Sequence, residues 1–130
     1  MFNLRYYTDM ERFLVRRVGR LIDKDINTDS LVLAESEDGV SGRWLELQRT
    51  LEPDEQDRDL GLDTYCLVNE VGATVYGGVA RWSLKERVLV LELDDRSASV
   101  LRVRSGFELT LARGSIDEEA VRSALDAILG

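Results

Sequence analysis

The sequence contains no histidine, one cysteine (Cys66) and one proline (Pro53). The lack of histidine excludes Ser-His-Asp and Cys-His catalytic arrangements as well as histidine metal ligands. A single cysteine cannot close an internal disulfide or build a structural zinc site, and it is typical of a reducing compartment. No glycine-rich loop ending in Lys-Ser or Lys-Thr occurs, which excludes nucleotide hydrolysis by that route. The composition therefore argues against most enzymatic chemistry.

Long hydrophobic runs are also missing. The longest, such as Val88–Leu91, are far shorter than the roughly 20 residues of a membrane-spanning helix. The N-terminal residues Met1–Arg5 lack an apolar segment followed by a small-residue cleavage site, so no signal peptide is predicted. With 130 residues, 44% of them hydrophobic, the chain is predicted to be a single cytoplasmic domain (1–130) without membrane contact.

Acidic residues are abundant and unevenly placed. The chain has 25 Asp and Glu against 17 Lys and Arg, a net charge of −8. Residues 35–70 hold eleven acids and three arginines, so this segment alone carries a net −8. Nucleic-acid partners are not expected, because such proteins cluster Lys and Arg against phosphates. The charge distribution instead predicts an acidic recognition surface. One basic cluster is interpreted as a solvated face of an element: Arg12, Arg16, Arg17 and Arg20.

Alternation of apolar and polar residues predicts strands through the middle of the chain. In the segment 43–49, Leu45 and Leu47 lie on one face while Glu46 and Gln48 lie on the other. The other predicted strands are 31–34, 64–68, 74–76, 88–93 and 107–111. Short connections between successive strands favour antiparallel pairing. The acidic stretch 52–59 between two strands is predicted to be a long surface loop.

Two helices are predicted in the C-terminal part. Ser115 followed by Glu118 forms a capping-box pattern, which marks the start of a helix. An apolar stripe at helical spacing follows: Ile116, Ala120, Val121, Ala124, Leu125, Ile128 and Leu129. A shorter helix is predicted after Asp94 or Asp95, with Ala98, Leu101 and Val100 as its inward candidates. The predicted fold class is α+β, a mostly antiparallel sheet with a C-terminal amphipathic helix and a short second helix.

The segment 10–22 gives conflicting signals. Thr8 with Glu11 resembles a further capping box, and the apolar spacing from Met10 to Ile22 fits a helix. Gly19 in mid-segment and the strand expected soon afterwards favour a strand instead. The residues alone leave both alternatives open.

Few residues suggest a metal or a reactive group. Asp57, Asp59 and Asp63 have a superficial calcium-loop spacing, but Gly61 and Leu62 stand where such a loop needs a ligand and a glycine. A solvated acidic loop is the preferred interpretation, with no metal and no cofactor. Cys66 is interpreted as a buried, inert thiol because it lies in an apolar strand.

Three segments in this order resemble family ten of the bacterial polymorphic-toxin immunity proteins. They are 47–51 (LQRTL), 56–65 (QDRDLGLDTY) and 75–79 (VYGGV). The resemblance runs from about Glu11 to the end and leaves 1–9 outside, as an extension or an upstream start. It implies a small α+β domain that is not an enzyme and binds and silences a cognate toxin. It also implies a strand over 12–22, which we adopt.

The resemblance, together with the acidity, predicts which residues face the toxin. Tyr65 and Tyr76 have an alternative role as core aromatics whose hydroxyls bind Asp63 or Gln48. Two other functions stay open: a homodimer formed by sheet extension, and a carboxylate-based hydrolase. Gly61, Gly77 and Gly78 are assigned to structural turns. The predicted partner-binding residues are Glu52, Asp54, Glu55, Asp57, Asp59, Asp63, Tyr65 and Tyr76, and the toxin is expected to be basic.

Overall fold

Two β-sheets that share one hydrophobic core form the body of the protein. The computed structural model describes residues 10–61 and 63–130. The architecture confirms the predicted α+β class. The elements in chain order are β1 (Glu11–Val15), β2 (Arg17–Asp23), β3 (Thr28–Ala34), β4 (Trp44–Thr50), α1 (Glu55–Asp59), β5 (Tyr65–Asn69), β6 (Thr74–Tyr76), β7 (Val79–Lys85), β8 (Val88–Leu93), α2 (Asp95–Leu101), β9 (Gly106–Leu111) and α3 (Glu118–Leu129).

The larger sheet contains five strands in the order β2-β3-β4-β5-β6, and all neighbours are antiparallel. The smaller sheet has the order β1-β9-β8-β7 and contains one parallel pair, β1 with β9. The prediction of mostly antiparallel pairing is confirmed, and the parallel pair joins strands that are distant in sequence. The chain passes between the sheets at Arg16 and again at Gly77–Gly78.

The core lies between the sheets and is closed by helices α2 and α3. The inner face of the larger sheet contributes Leu31, Leu47 and Leu67, which are opposite one another on neighbouring strands and at most 1% exposed. Leu91 and Leu109 come from the smaller sheet and belong to the same buried cluster. Helix α3 lies against β3 and β4. Burial of each such leucine contributes about 1.5–3 kcal/mol.

The segment 11–23 forms two strands and no helix, so the strand that the resemblance implied over 12–22 is correct in type but is divided at Arg16, and the helix that the periodicity favoured is wrong. Phe13 and Val15 are buried at strand spacing, whereas Leu21 and Ile22 are more than half exposed. The chain changes sheets at Arg16, which shifts the alternation between β1 and β2 and makes the apolar spacing look helical. Thr8 of the suggested capping box lies outside the described residues, and Glu11 begins β1.

The N-cap of helix α3 lies two residues after the predicted cap, Ser115. Its N-cap is Asp117, whose carboxylate accepts a hydrogen bond from the backbone N–H of Glu119 at 3.0 Å. Ser115 is exposed and lies outside the helix, so the prediction of a Ser115 capping box was wrong. The Glu118 carboxylate instead accepts the backbone N–H of Arg87. A nearby aspartate satisfies the free amides of the first turn as well as a serine does.

Helix α2 begins after Asp94, as predicted. The Asp94 carboxylate accepts the backbone N–H of Ser97 at 2.8 Å. Ala98 and Leu101 face the core, but Val100 is 40% exposed, which corrects its inclusion among the inward candidates. None of the helices in residues 10–61 and 63–130 is long and apolar enough to cross a membrane.

Candidate functional site

The register of the five-stranded sheet divides the acidic segment 35–70 between two opposite ends of the molecule. The β3–β4 loop, with Glu37 and Asp38, lies at one end, and the β4–β5 connection, with Glu52 to Asp63, lies at the other. The seven residues of β4 separate these ends by about 20 Å. The net −8 of this segment therefore does not form one continuous patch.

The β2–β3 turn adds acidic residues to the end that holds Glu52. The Asn27 side chain donates to the Glu52 carbonyl oxygen at 2.8 Å and accepts the Glu52 N–H at 2.9 Å. The Leu51 N–H also donates to the Asn27 carbonyl oxygen at 2.9 Å. Asn27 has a φ of 55°, a left-handed conformation that asparagine tolerates well. These bonds hold two chain connections, and therefore their charges, side by side.

A short helix stands where the sequence predicted a long loop. Asp54 is the N-cap of α1, and its carboxylate accepts the Asp57 N–H at 2.7 Å. The Asp57 carboxylate in return accepts the Asp54 N–H at 3.1 Å. The prediction of a long surface loop over 52–59 missed this helix, which two aspartates begin with a reciprocal capping box, although the connection is exposed as expected. Gly61 follows the helix with a φ of +71°.

We name this region, residues 23–27, 51–61 and 63, the acidic end. Its exposed apolar residues include Ile26 and Leu60, which are 65% and 62% exposed, and Tyr76 at the neighbouring end of β6 is 50% exposed. Exposed apolar side chains within a charged rim are typical of protein interfaces. Eight acids less two bases give the acidic end a net charge of −6: Asp23, Asp25, Glu52, Asp54, Glu55, Asp57, Asp59 and Asp63 against Lys24 and Arg58.

The sequence prediction missed part of this surface. It did not include Asp23 and Asp25, which come close to the β4–β5 connection through the pairing of β3 with β4 and the Asn27–Glu52 bonds. It also missed Ile26, although an isoleucine in the polar turn Asp-Lys-Asp-Ile-Asn was a usable signal. An apolar residue at a turn tip gains nothing from folding and is therefore a candidate contact residue.

The two predicted tyrosines lie on opposite faces of the sheet. Tyr76 is on the outer face, in one cross-strand row with Gln48 and Cys66. These three residues line a small cavity of about 90 Å³ together with four neighbours: Thr28, Arg49, Thr50 and Thr64. Tyr65 is half-buried on the inner face and packs against the core. Its hydroxyl accepts the Val79 N–H at 2.9 Å, so the predicted bonds to Asp63 or Gln48 are replaced by a backbone contact.

Cys66 is 8% exposed and lies outside the main core cluster, on the outer face of the sheet. Burial, and to a lesser degree the charge of Glu46, raises the pKa of its thiol. A raised pKa keeps the thiol protonated and unreactive at neutral pH. The observed environment therefore matches the inert thiol predicted from the sequence.

At the opposite end of the sheet, acidic residues make bonds within the protein. Arg43 binds Glu35 at 2.6 Å and Glu11 at 2.8 Å. The Arg43 hydrogen bonds lower the pKa of Glu35. Asp38 accepts hydrogen bonds from the hydroxyl and N–H of Ser41, which lower its pKa to about 2. These acids are less available to a partner than the exposed acids of the acidic end.

The arginine cluster is spread over β1, β2 and the residue between them, Arg16. Arg12 pairs with Glu108 at 2.6 Å, and Arg20 makes two bonds to Asp29, at 3.0 and 2.9 Å. Arg17 donates to the Glu37 carbonyl oxygen at 3.2 Å. A cavity of about 560 Å³ between β2 and the start of α3 is lined by Arg16, Arg17, Val18, Arg20, Leu31, Glu37, Ser115, Ile116, Asp117, Ala120 and Val121.

A hydrolase would need a pocket in which one carboxyl group has a raised pKa. Glu35 and Glu37 line an open cavity of about 370 Å³, but Arg43 lowers the pKa of Glu35 and thereby favours its charged form. Within residues 10–61 and 63–130, no three carboxylates or cysteines are grouped so that they could hold a metal ion. The described cavities therefore give the hydrolase alternative no support.

The family model of immunity protein 10 matches residues 15–121 of the chain. The match covers most of the sequence, and the protein therefore belongs to this family. The family has an immunity function, which implies a toxin protein as partner, and its members are generally not enzymes. A comparison with curated proteins finds no match.

Proposed function

We propose that this protein binds and neutralises a cognate toxin domain through its acidic end. The single observation that carries the proposal is the pair of side-chain bonds between Asn27 and Glu52. These bonds hold two acidic connections together and concentrate a net charge of −6 around the exposed Ile26 and Leu60. The partner that fits this surface is a basic protein with a shallow apolar patch.

The charges and the apolar residues have different roles in this mechanism. Exposed acids attract a basic toxin over a distance and raise the association rate. The apolar side chains of Ile26, Leu60 and Tyr76 then lose their contact with water, which slows dissociation. Inhibition follows from occlusion of the toxin cleft and needs no catalytic residue. Tyr65 is half-buried on the inner face of the larger sheet and packs against the core. Its predicted contact with the toxin is therefore a secondary part of the proposal.

Co-expression is the direct test of neutralisation. The toxin domain encoded next to this gene is expressed in a sensitive host, with and without the protein, and growth is followed. Rescue of growth together with a co-purifying complex supports the proposal. Continued killing while both proteins are soluble and form no complex contradicts it for that toxin.

The location of the interface is tested by charge reversal. The variant Glu52→Lys/Glu55→Lys/Asp59→Lys changes three exposed acids that are not the caps of α1. Its affinity for the toxin is expected to fall by at least about 100-fold, since close charge pairs at interfaces contribute several kcal/mol. Asp54 and Asp57 are left unchanged, because their reversal would also unfold the helix.

The matched control makes the same change in net charge elsewhere. Glu37→Lys/Glu70→Lys/Asp126→Lys alters three exposed acids that lie outside the acidic end. It is expected to keep the affinity within about threefold of the wild type, apart from long-range steering. An equal loss of affinity in both variants would show that net charge matters and the acidic end does not.

A further inference from the structure

Strand β2 is a long edge strand that lacks most of the usual protection against pairing. It pairs with β3 along all seven residues with no shift in register, and no other described strand lies on its second side. Edge strands are normally protected by shortness, proline, lysine or a bulge. Strand β2 has no proline, lysine or bulge, its charged residues are Arg17, Arg20 and Asp23, and Leu21 and Ile22 are 55% and 52% exposed.

Other edge strands in the described part of the chain differ from β2 in this respect. Strand β6 has only three residues. Strand β7 has a register shift between Val79 and Arg81 and carries Lys85 near its end. Strand β1 is also a regular edge strand, but it has only five residues. Strand β2 is therefore the longest regular edge strand among the described residues.

We propose that β2 pairs with β2 of a second copy of this chain to form a two-fold symmetric dimer. The two strands run antiparallel, with the symmetry axis at Arg20, the middle residue of Arg17–Asp23. The two five-stranded sheets then form one continuous sheet of ten strands. This inference concerns the β2 edge, which shares only Asp23 and the adjoining turn with the acidic end, and it does not depend on the toxin.

The sequence of β2 is complementary to itself in this register. Arg17 of each copy lies opposite Asp23 of the other, so the dimer contains two such pairs of opposite charges. Val18 lies opposite Ile22 of the second copy, so apolar side chains meet on the inner face. Gly19, where an added Cβ would meet no atom within 4 Å, lies opposite Leu21 of the second copy. Opposite charges and apolar pairs on neighbouring strands stabilise a sheet.

Arg20 presents the main objection, because the axis brings it opposite Arg20 of the second copy. Like charges in directly opposite positions are destabilising. Each Arg20, however, makes two bonds to its own Asp29, which is 6% exposed. The charge at the axis is therefore neutralised within each subunit before the two strands meet.

The cavity beside β2 provides space for the apolar side chains of a second copy. It has a volume of about 560 Å³, and Val18, Leu31, Ile116 and Val121 contribute apolar surface to its lining. Val18 lies at this cavity, so Ile22 of the second copy would reach its mouth. The dimer would bury Ile22 at this cavity, which accounts for its 52% exposure in the single chain.

The dimer leaves most of the acidic end accessible. The β4–β5 connection lies two to three strands from the β2 edge, roughly 10–14 Å at a spacing of about 4.8 Å. The antiparallel arrangement also places the arginine-rich start of β2 beside the acidic turn of the second copy. A dimer of this kind would therefore carry two separate acidic ends.

Light scattering coupled to size exclusion tests the dimer directly on the full chain. Wild-type protein is expected to show about twice the 14.7 kDa mass of one chain at micromolar concentration. The variant Ile22→Lys puts a charge opposite Val18 of the second copy and is expected to raise the dissociation constant at least about tenfold. The control Ile26→Lys changes an equally exposed isoleucine in the turn and is expected to leave the dimer intact.

Two outcomes would overturn the proposal. The first is a monomer at all concentrations up to the solubility limit. The second is a dimer that Ile22→Lys leaves unchanged, because the interface would then lie elsewhere. If the wild type is monomeric and Ile22→Lys abolishes the toxin complex, the β2 edge receives a strand of the toxin and the dimer is wrong.

Discussion

The hydroxyl of Tyr65 accepts the backbone N–H of Val79 at 2.9 Å and thereby joins the two sheets. Tyr65 begins β5 of the larger sheet, and Val79 begins β7 of the smaller one. Between them the chain turns sharply at Gly77 and Gly78, and the Gly77 N–H donates to the Tyr65 carbonyl oxygen at 2.8 Å. The hydroxyl and the backbone carbonyl of Tyr65 therefore both bind the segment by which the chain crosses from one sheet to the other.

Loss of this hydroxyl is expected to affect stability more than binding. Tyr65→Phe should lower the free energy of unfolding by about 1 kcal/mol, because it leaves the part-buried Val79 N–H without its acceptor. Tyr76→Phe is the control, since the Tyr76 ring is half exposed at the same end of the sheet. Urea denaturation measures both variants. Equal stability of Tyr65→Phe and the wild type would show that water replaces the hydroxyl.

The two glycines of the crossing are expected to tolerate alanine very differently. A Cβ on Gly78 would lie 2.0 Å from the Oγ of Ser97, and Gly78 has a φ of +98°. Gly78→Ala should therefore cost about 3 kcal/mol or more through overpacking and backbone strain. Gly77 has a φ of +71° but no atom within 4 Å of a Cβ.

Gly77→Ala is the matched control for Gly78→Ala. It should cost only about 1–2 kcal/mol, the strain of a left-handed alanine. Thermal unfolding of both variants under identical conditions measures the difference. Similar losses in the two variants would mean that Ser97 moves aside and that the close approach at Gly78 is not a constraint.

The strands of the larger sheet were predictable because one face of each is buried. Leu45 and Leu47 alternate with Glu46 and Gln48, and this period of two survives in the structure. The segment 11–23 was not predictable from periodicity, because the chain changes sheets at Arg16 and the alternation shifts there. A local pattern contains no information about such a crossing.

The acidic end was predictable only in part. The acids from Glu52 to Asp63 are adjacent in sequence, so their clustering follows from composition. Asp23 and Asp25 join them through tertiary bonds from Asn27, which no local pattern indicates. The same limit applies to Glu37 and Asp38, which are close to the other acids in sequence but lie about 20 Å away at the far end of the strands.

The corrected start of helix α3 gives a further prediction. Asp117→Ala should lower the free energy of unfolding by about 1 kcal/mol, since it removes the acceptor of the Glu119 N–H. Ser115→Ala should change stability by less than about 0.5 kcal/mol, as expected of an exposed residue outside the helix. Chemical denaturation distinguishes the two. A larger effect of Ser115→Ala would restore the capping box that the sequence suggested.

Asp38 is expected to make stability depend on pH in the acidic range. Its pKa of about 2 lies below the ordinary 3.8, so its stabilising effect is present above pH 3.8 and is lost as the pH falls towards 2. Ser41→Ala removes the hydroxyl that contributes most to the shift, and the pKa of Asp38 should rise towards 3.8. NMR titration of the Asp38 carboxyl measures this change, with Ser123→Ala as a control on an exposed serine. An unaltered pKa in Ser41→Ala would assign the shift to the backbone N–H groups alone.

The acidic end also predicts how salt affects toxin binding. Exposed charges steer association at low ionic strength, and screening by salt removes this advantage beyond a Debye length of about 8 Å at 0.15 M. The association rate is therefore expected to fall by about tenfold or more between low salt and 0.5 M salt, whereas the dissociation rate changes little. Stopped-flow mixing of the two proteins measures both rates.

The charge-reversal variant Glu52→Lys/Glu55→Lys/Asp59→Lys sharpens this test of steering. Three reversals change the net −6 of the acidic end by six units, to about zero, so its association rate should be nearly independent of salt. Tyr76→Ala should behave in the opposite way, with a faster dissociation and a normal salt dependence, because it removes an apolar contact and no charge. If the wild-type association rate does not change with salt concentration, electrostatic steering plays no part in binding. The apolar residues would then be the source of the affinity.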